Sequence, residues 1–133
     1  MSEAAEQMKA RTMRFALDVC GLIKQLPREE PGPTVRRQLA KSATGVAFNS
    51  RVSCRARSHK EFTAKTGVVA EEADESQGWL EFIHAARLID SGELTRLMAE
   101  STELTRIASA SYGTARAQER EARKRQSNRP PAS

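Results

Sequence analysis

The sequence predicts an all-α fold: an antiparallel up-down four-helix bundle over residues 1–115, followed by a basic C-terminal extension, residues 116–133, expected to fray and become disordered. Three observations carry that prediction. Ala, Leu, Glu, Arg and Lys dominate over β-branched and aromatic types, a balance that favours helix. Apolar residues recur at three- and four-residue spacing, and no alternating stretch is long enough to suggest a strand. Breaks at residues 27–33, at Ser58 and at Ser91 with Gly92 divide this pattern into four segments. A chain of 133 residues suits one core and is too short for two.

The first helix is expected over about residues 5–26, with Met8, Thr12, Phe15, Val19, Leu22 and Leu26 in the four-three alternation of a bundle seam. Pro27, Pro31, Gly32 and Pro33 end it, and Pro33 suits the first turn of the next helix. That second helix, about residues 33–56, has a seam of Val35, Leu39, Ser42, Val46, Asn49 and Ser53. Ala43, Gly45 and Ala47 beside the seam permit close helix approach. Asn49 sits where an amide costs stability unless hydrogen-bonded, but can fix register between helices.

Ser58 to Glu61 reads as a capping box, in which the Ser hydroxyl accepts from the Glu amide and the Glu carboxylate reaches back. A third helix is expected from there to about Asp90. At over thirty residues, and about 45 Å from a rise of about 1.5 Å each, it would be the longest. Residues 68–89 within it form the centre of the design. Val68, Trp79, Phe82, Ala86 and Ile89 make one stripe, with Glu72 and Glu75 at two places where apolar residues are expected. A second stripe runs through Phe62, Val69, Ala73, Ser76, Leu80 and Ile83, which implies contact on two sides. The fourth helix buries Leu94, Leu97, Met98, Leu104, Ile107, Ala108 and Tyr112, and the apolar pattern fades beyond about Ala115.

The formal net charge is +5, and the segment from Arg116 onward holds six basic and two acidic residues, +4 of that total. Within the bundle the charges are segregated: Arg36 to Lys65 is basic with Glu61 as its one acid, whereas acids gather between Glu71 and Glu103. A hairpin of the second and third helices would bring Arg37 and Lys41 near Gln77 and Asp74, so these charges would meet. Exposed pairs contribute about 0–1 kcal/mol each, so they would set register more than stability.

No run approaches the roughly 20 apolar residues that cross a bilayer, and MSEAAEQMKART lacks the apolar core of a signal peptide. No membrane partner and a cytoplasmic location are the expectation. Cys20 and Cys54 lack metal-type spacing and are expected to be reduced, buried small side chains.

The segment from Gln38 to Ile83 carries a specific pattern. Gln38-Leu39 and Ser42 precede Thr44-Gly45-Val46, then come Asn49, Arg55, Arg57-Ser58, Phe62, Lys65, Glu72-Ala73-Asp74-Glu75 and Trp79-Leu80-Glu81. It resembles the bacterial four-helix-bundle family of intervening-sequence or S23-type proteins, some of which are encoded inside large-subunit rRNA genes. The resemblance spans roughly residues 8–116. It implies a homo-oligomer, commonly a ring-like pentamer, of unsettled biochemical role. A more distant likeness to the basic, pentameric accessory protein of diversity-generating retroelements implies contact with RNA or DNA. Val52 stands where the family often has Glu, and Phe48 replaces a usual small residue, which argues against a shared polar site there.

Glu72, Glu75 and Asn49 could form an internal polar site, because two carboxylates one turn apart can serve acid/base chemistry or hold a cation. Left alone, a buried carboxylate would have a raised pKa. Pairing with Asn49, Ser42 or a base across the hairpin or a subunit boundary is the stronger reading, which makes Asn49, Glu72, Glu75 and Trp79 interface or structural residues. Glu81 and His84 have Glu-x-x-His spacing, but a di-metal site needs a second copy and further Glu residues, and the chain has only two His. No catalytic residue, cofactor or metal is expected, and the protein reads as a non-enzyme.

Nucleic-acid contact rests on Arg51, Arg55, Arg57 and Lys60, together with Arg116, Arg120, Arg123, Lys124, Arg125 and Arg129. One Trp and one Tyr make no stacking platform, so contact would be to phosphates, weakly sequence-selective and strongly salt-dependent. The leading expectation is a homo-oligomeric scaffold or adaptor touching RNA or DNA phosphates. The alternative is a protein-interaction module with no nucleic-acid role, and more remotely a carboxylate-based enzyme or metal protein.

Overall fold

The computed structural model describes residues 2–132. Helix α1 (Glu3–Leu22) passes through a 3-10 turn (Ile23–Gln25) and a loop to α2 (Gly32–Ser53), then come α3 (His59–Ala85) and α4 (Gly92–Ser127). No strand occurs among the described residues. Three helices open on a serine whose hydroxyl accepts a backbone amide: Ser2 from Ala5, Ser58 from Glu61 and Ser91 from Leu94. Each satisfies one of the amides that a helix start leaves orphaned.

α3 ends five residues before the expected Asp90, and α4, at 36 residues, is the longest helix. The stop at Ala85 is a Schellman motif. The Leu88 amide donates to the Ile83 carbonyl, the Arg87 amide donates to His84, and Arg87 takes the left-handed conformation at φ 55°. Beyond residue 115, where a fraying helical extension is expected, α4 continues as helix to Ser127. Its physical basis is local: no Gly or Pro interrupts it before Pro130, and Ala, Arg, Glu and Gln propagate a helix already nucleated by packing.

The apolar seams close on one another. Phe15, Val19, Leu22, Leu39, Leu80, Ile83, Leu94, Leu97 and Leu104 form the main core, each nearly inaccessible to solvent. Full burial of such a side chain stabilises by about 1.5–3 kcal/mol. Toward the end where α2 gives way to α3, the core narrows to Val46, Val69, Ala73 and Ala108. α3 packs along both α2 and α4, while α1 lies on α2 and touches α4 more lightly.

Register is read from cross-helix contacts. Arg11 and Arg96 span α1 and α4 through Glu100 and Asp18; Ser42 and Gly45 of α2 meet Ser76 and Glu72 of α3. Gly67 and Gln77 of α3 meet Tyr112 and Thr102 of α4. In each pairing, numbers rise on one helix as they fall on the other.

Across the α2 and α3 hairpin the charges approach, Lys41 drawing on Glu72, but form no direct pair among the described residues. No ion pair links the bases of α2 to the acids of α3 among the described residues; the cross-helix pairs join α1 to α4 instead. Arg11 clamps Glu100 with two hydrogen bonds, at 2.9 and 2.6 Å, and Arg96 reaches Asp18 at 2.7 Å. The reason is geometric. On the seam between α2 and α3 it is Gly45, with no side chain, that faces Glu72.

Candidate nucleic-acid and assembly surfaces

The face of α3 that carries Glu72 and Glu75 is an outer face, whereas Val69, Ala73, Ser76, Leu80 and Ile83 look into the core. This corrects the core-facing stripe expected from residues 68–89. Val68 and Trp79 are half-buried, Phe82 and Ala86 exposed, and only Ile89, beyond the helix end, is buried. Glu75 is exposed and Glu72 half-buried.

The proposed internal polar cluster is not assembled. Asn49 donates from Nδ2 to the Gly45 carbonyl of its own helix at 2.9 Å, one turn back. Ser42 pairs with Ser76, hydroxyl to hydroxyl at 2.9 Å, and donates on to the Leu39 carbonyl. Glu72 lies against Gly45, and its carboxyl is pushed above the usual range by desolvation and by neighbouring Glu75, against the pull of Lys41. Glycine at position 45 leaves the room that this carboxylate occupies. Glu81 and His84 are both exposed, and among the described residues no three His, Cys, Asp or Glu side chains converge as a metal site would require.

Beside this acidic pair stand apolar groups that solvent reaches. Phe48 and Val52, one turn apart on α2, are 56% and 39% exposed, and Phe82 on α3 is 43% exposed. Trp79 meets Phe82 edge-on, with ring centroids 5.7 Å apart. The Gly45 and Glu72 contact lies on the seam between the helices that carry these groups. Trp79 and Phe82 were legible in the sequence as part of a helical stripe, whereas Phe48 and Val52 stand outside the expected α2 seam; how far each is exposed was decided by packing.

The bases occupy one end of the molecule. Arg55, Arg57 and Lys60 are exposed around the junction of α2 and α3, with Arg51 half-buried behind them. His59 donates from Nε2 to the Ala115 carbonyl at 3.0 Å, which pins this junction to α4 one residue before Arg116. His59 follows the Ser58 cap, and no local signal in the sequence marks its tie to a residue 56 positions away.

Beyond Ala115, α4 projects about 18 Å as exposed helix. Arg116, Arg120 and Lys124 recur every fourth residue and share one face, with Arg123 adjoining it. The Arg116 guanidinium sits 5.7 Å from the Tyr112 ring centroid, in cation–π range. Tyr112 in turn lies over Gly67, which has no side chain to displace the ring. Arg123 is tied to Glu119 at 3.1 Å. Arg125 lies off the main basic face, exposed, and Arg129 falls past the helix end. Arg51, Arg55, Arg57, Lys60, Arg116, Arg120, Lys124 and Arg125 make no ion pair among the described residues.

Cys20 and Cys54 are free and half-buried, less enclosed than expected. No helix among the described residues is long and apolar enough to cross a membrane.

Comparison with known proteins now adds to this geometry. The family model described as 23S rRNA-intervening sequence protein matches residues 6–110. Among solved structures, a protein of unknown function from the S23 ribosomal protein family of Bacteroides thetaiotaomicron is similar, with a TM-score of 0.71 and 25% sequence identity. The match covers 79% of this chain and 97% of that one. No curated protein matches. The basic projection from Arg116 onward lies past the span matched by the family model.

Proposed function

The chain belongs to the 23S rRNA-intervening sequence protein family, and on that premise we propose that it works as a non-enzymatic scaffold or adaptor: an up-down antiparallel four-helix bundle that assembles as a homo-oligomer, a pentamer, and holds RNA or DNA by its phosphates. The observation that carries this reading is the hydrogen bond from His59 to Ala115, which gathers Arg55, Arg57 and Lys60 to the root of the basic α4 projection. Two basic groups far apart in sequence thereby make one surface. Phosphates offer no base-edge information, so the surface would position nucleic acid without reading its sequence.

Assembly is supported by the outer face of α2 and α3. Phe48, Val52 and Phe82 expose apolar area that a neighbouring copy would remove from water. A pentamer would carry five projections of +4, roughly +20 in all, and multivalency would raise avidity without any new contact. Arg51, Arg55, Arg57, Lys60, Arg116, Arg120, Arg123, Lys124 and Arg125 are the phosphate-contacting residues on this reading. Trp79 and Glu72 belong to the assembly face, with Glu75 beside them and Asn49 bracing α2.

Light scattering of the purified protein at micromolar concentration tests assembly, with a stable monomer as the outcome that removes it. Fluorescence anisotropy with labelled single-stranded RNA and duplex DNA across a salt series tests phosphate contact. Binding should weaken steeply with salt and should fall when residues 116–133 are deleted or when Arg116, Arg120 and Lys124 are changed together to Gln. Absence of binding at low salt would leave the second reading, a protein-interaction module, which the exposed Phe48 and Val52 favour on their own.

A further inference from the structure

At the end of the bundle where α1 begins and α2 ends, the four helices line a half-open cavity of about 500 Å³. Well-packed interiors hold few voids larger than a water molecule, whereas ligand pockets commonly run from about 300 to 1,000 Å³. The cause lies in the side chains. At the opposite end the helices meet through Phe15, Leu22, Leu39, Leu80 and Leu97, but here the facing positions are Ala5, Ser50, Ser53, Ala108 and Ser111. The helix axes are held apart by the large residues of the main core, and small residues cannot span the gap that remains.

The chemistry of the wall specifies its occupant. Met8, Phe62, Val69 and Ile107 supply its apolar part, and no Asp, Glu, Lys, Arg or His lines it. Of the hydroxyls that line it, Ser53 donates to the Ser50 carbonyl and Thr66 to the Thr63 carbonyl, Ser2 and Ser58 accept the Ala5 and Glu61 amides, and those of Ser50 and Ser111 bond to no protein group among the described residues. Among the described residues no buried side-chain polar atom is left without a partner. A charged ligand would lose its water there and meet no opposite charge, whereas a neutral, largely apolar one would leave water and could still hydrogen-bond the Ser50 or Ser111 hydroxyl.

We propose that this cavity is a binding site for a neutral, largely apolar small molecule. The first two turns of α1 form its outer wall. They present Ala5 and Met8 to the cavity, and one weak contact, from the Cys54 thiol to the Ala5 carbonyl at 3.9 Å, ties them to the end of α2. The cavity faces are distinct from the outer α2 and α3 face and from the basic projection, so the proposal does not depend on assembly or on nucleic-acid contact.

The test is titration of the full chain with N-phenyl-1-naphthylamine, a neutral apolar probe whose fluorescence rises on leaving water. Saturable binding with one site per chain is expected. Ala5→Leu and Ser111→Leu, each placing a branched side chain in the cavity from a different helix, should each weaken binding roughly tenfold or more while keeping the helical circular dichroism of the parent. The unsubstituted protein offers a second readout. Bound probe should slow alkylation of Cys54, which lines the cavity, and leave alkylation of Cys20 unchanged. The proposal is overturned by absence of saturable binding, by equal affinity in both Leu variants and the parent, or by Cys54 alkylation that ignores the probe.

Discussion

The carboxylate of Glu72 fills the space in front of Gly45: a Cβ placed on Gly45 would lie 2.7 Å from Glu72 Oε2 and 2.9 Å from its carboxyl carbon. One helix has given up a side chain and the other has put an acid in its place, on the seam between α2 and α3.

That placement makes stability depend on pH. Desolvation and Glu75 raise the folded pKa of Glu72, so the folded state holds a proton that the unfolded chain has released. The Glu72 contribution to stability therefore falls as pH rises from the ordinary Glu range through the raised value. Glu72→Gln has no such proton to lose. Its melting temperature should match that of the parent at the acid end of this window and exceed it at neutral pH, measured by circular dichroism at matched protein concentration. A difference that stays constant with pH would sink the assignment.

Gly45→Ala should push the flexible end of Glu72 toward water. Helix propensity favours the change by up to about 1 kcal/mol, so net stabilisation of about 0.5–1 kcal/mol is expected at neutral pH. The Glu72 titration, followed by carboxyl-carbon NMR, should move back toward the ordinary value. An unmoved titration would mean that the carboxylate does not occupy this space.

Ser42 and Ser76 are each almost fully buried and hydrogen-bonded to one another, yet each also has a carbonyl of its own helix in reach, Leu39 for Ser42 and Glu72 for Ser76. Either hydroxyl can therefore lose its partner without being orphaned. Ser42→Ala and Ser76→Ala should each cost about 1 kcal/mol in urea unfolding, the net value of one hydrogen bond. The double variant should cost hardly more than either alone, and strict additivity would contradict the pairing.

Arg87 occupies the left-handed position that closes α3, where Gly is the usual residue. Arg87→Gly should stabilise by about 0.5–1 kcal/mol, because relief of the left-handed conformation outweighs the added freedom of the unfolded chain. Thermal unfolding reads this directly, and a loss of stability would show that the guanidinium has a structural role of its own.

At Gly32 the constraint is backbone. A Cβ there would sit 1.9 Å from the Pro27 carbonyl oxygen, which no side-chain rotation can relieve. Gly32→Ala should destabilise by about 1–3 kcal/mol, and an unchanged unfolding midpoint would show that the loop from α1 to α2 yields easily.

The seams were legible because burial follows a period that sequence displays. Thr12, Phe15, Val19, Leu22 and Leu26 are buried as their spacing requires, as are Val35, Leu39, Ser42, Val46 and Ser53. Ser58 announced its helix for the same reason, since a cap is a contact between residues three apart, whereas Ser91 reads in the sequence as a break and is a cap in the structure. Where two stripes compete on one helix, periodicity is silent about which is inward. In α3 the stripe through Val69, Ala73, Ser76, Leu80 and Ile83 is the buried one, and the stripe carrying Trp79 is only partly covered.

What the amino-acid sequence determined by itself is the set of helices, their breaks and most of the inward-facing residues, because these depend on interactions within a turn or two. The tertiary structure alone decided that Glu72 faces Gly45 and that Ser42 meets Ser76. It likewise decided that Arg11 clamps Glu100 and that His59 brings the α2 and α3 junction to the base of the cationic projection. Each joins residues from different helices, and which partner a side chain reaches depends on the spacing and rotation of helix axes. Those are fixed by the packing of the whole core, from the large residues at one end to the small ones that leave the cavity at the other.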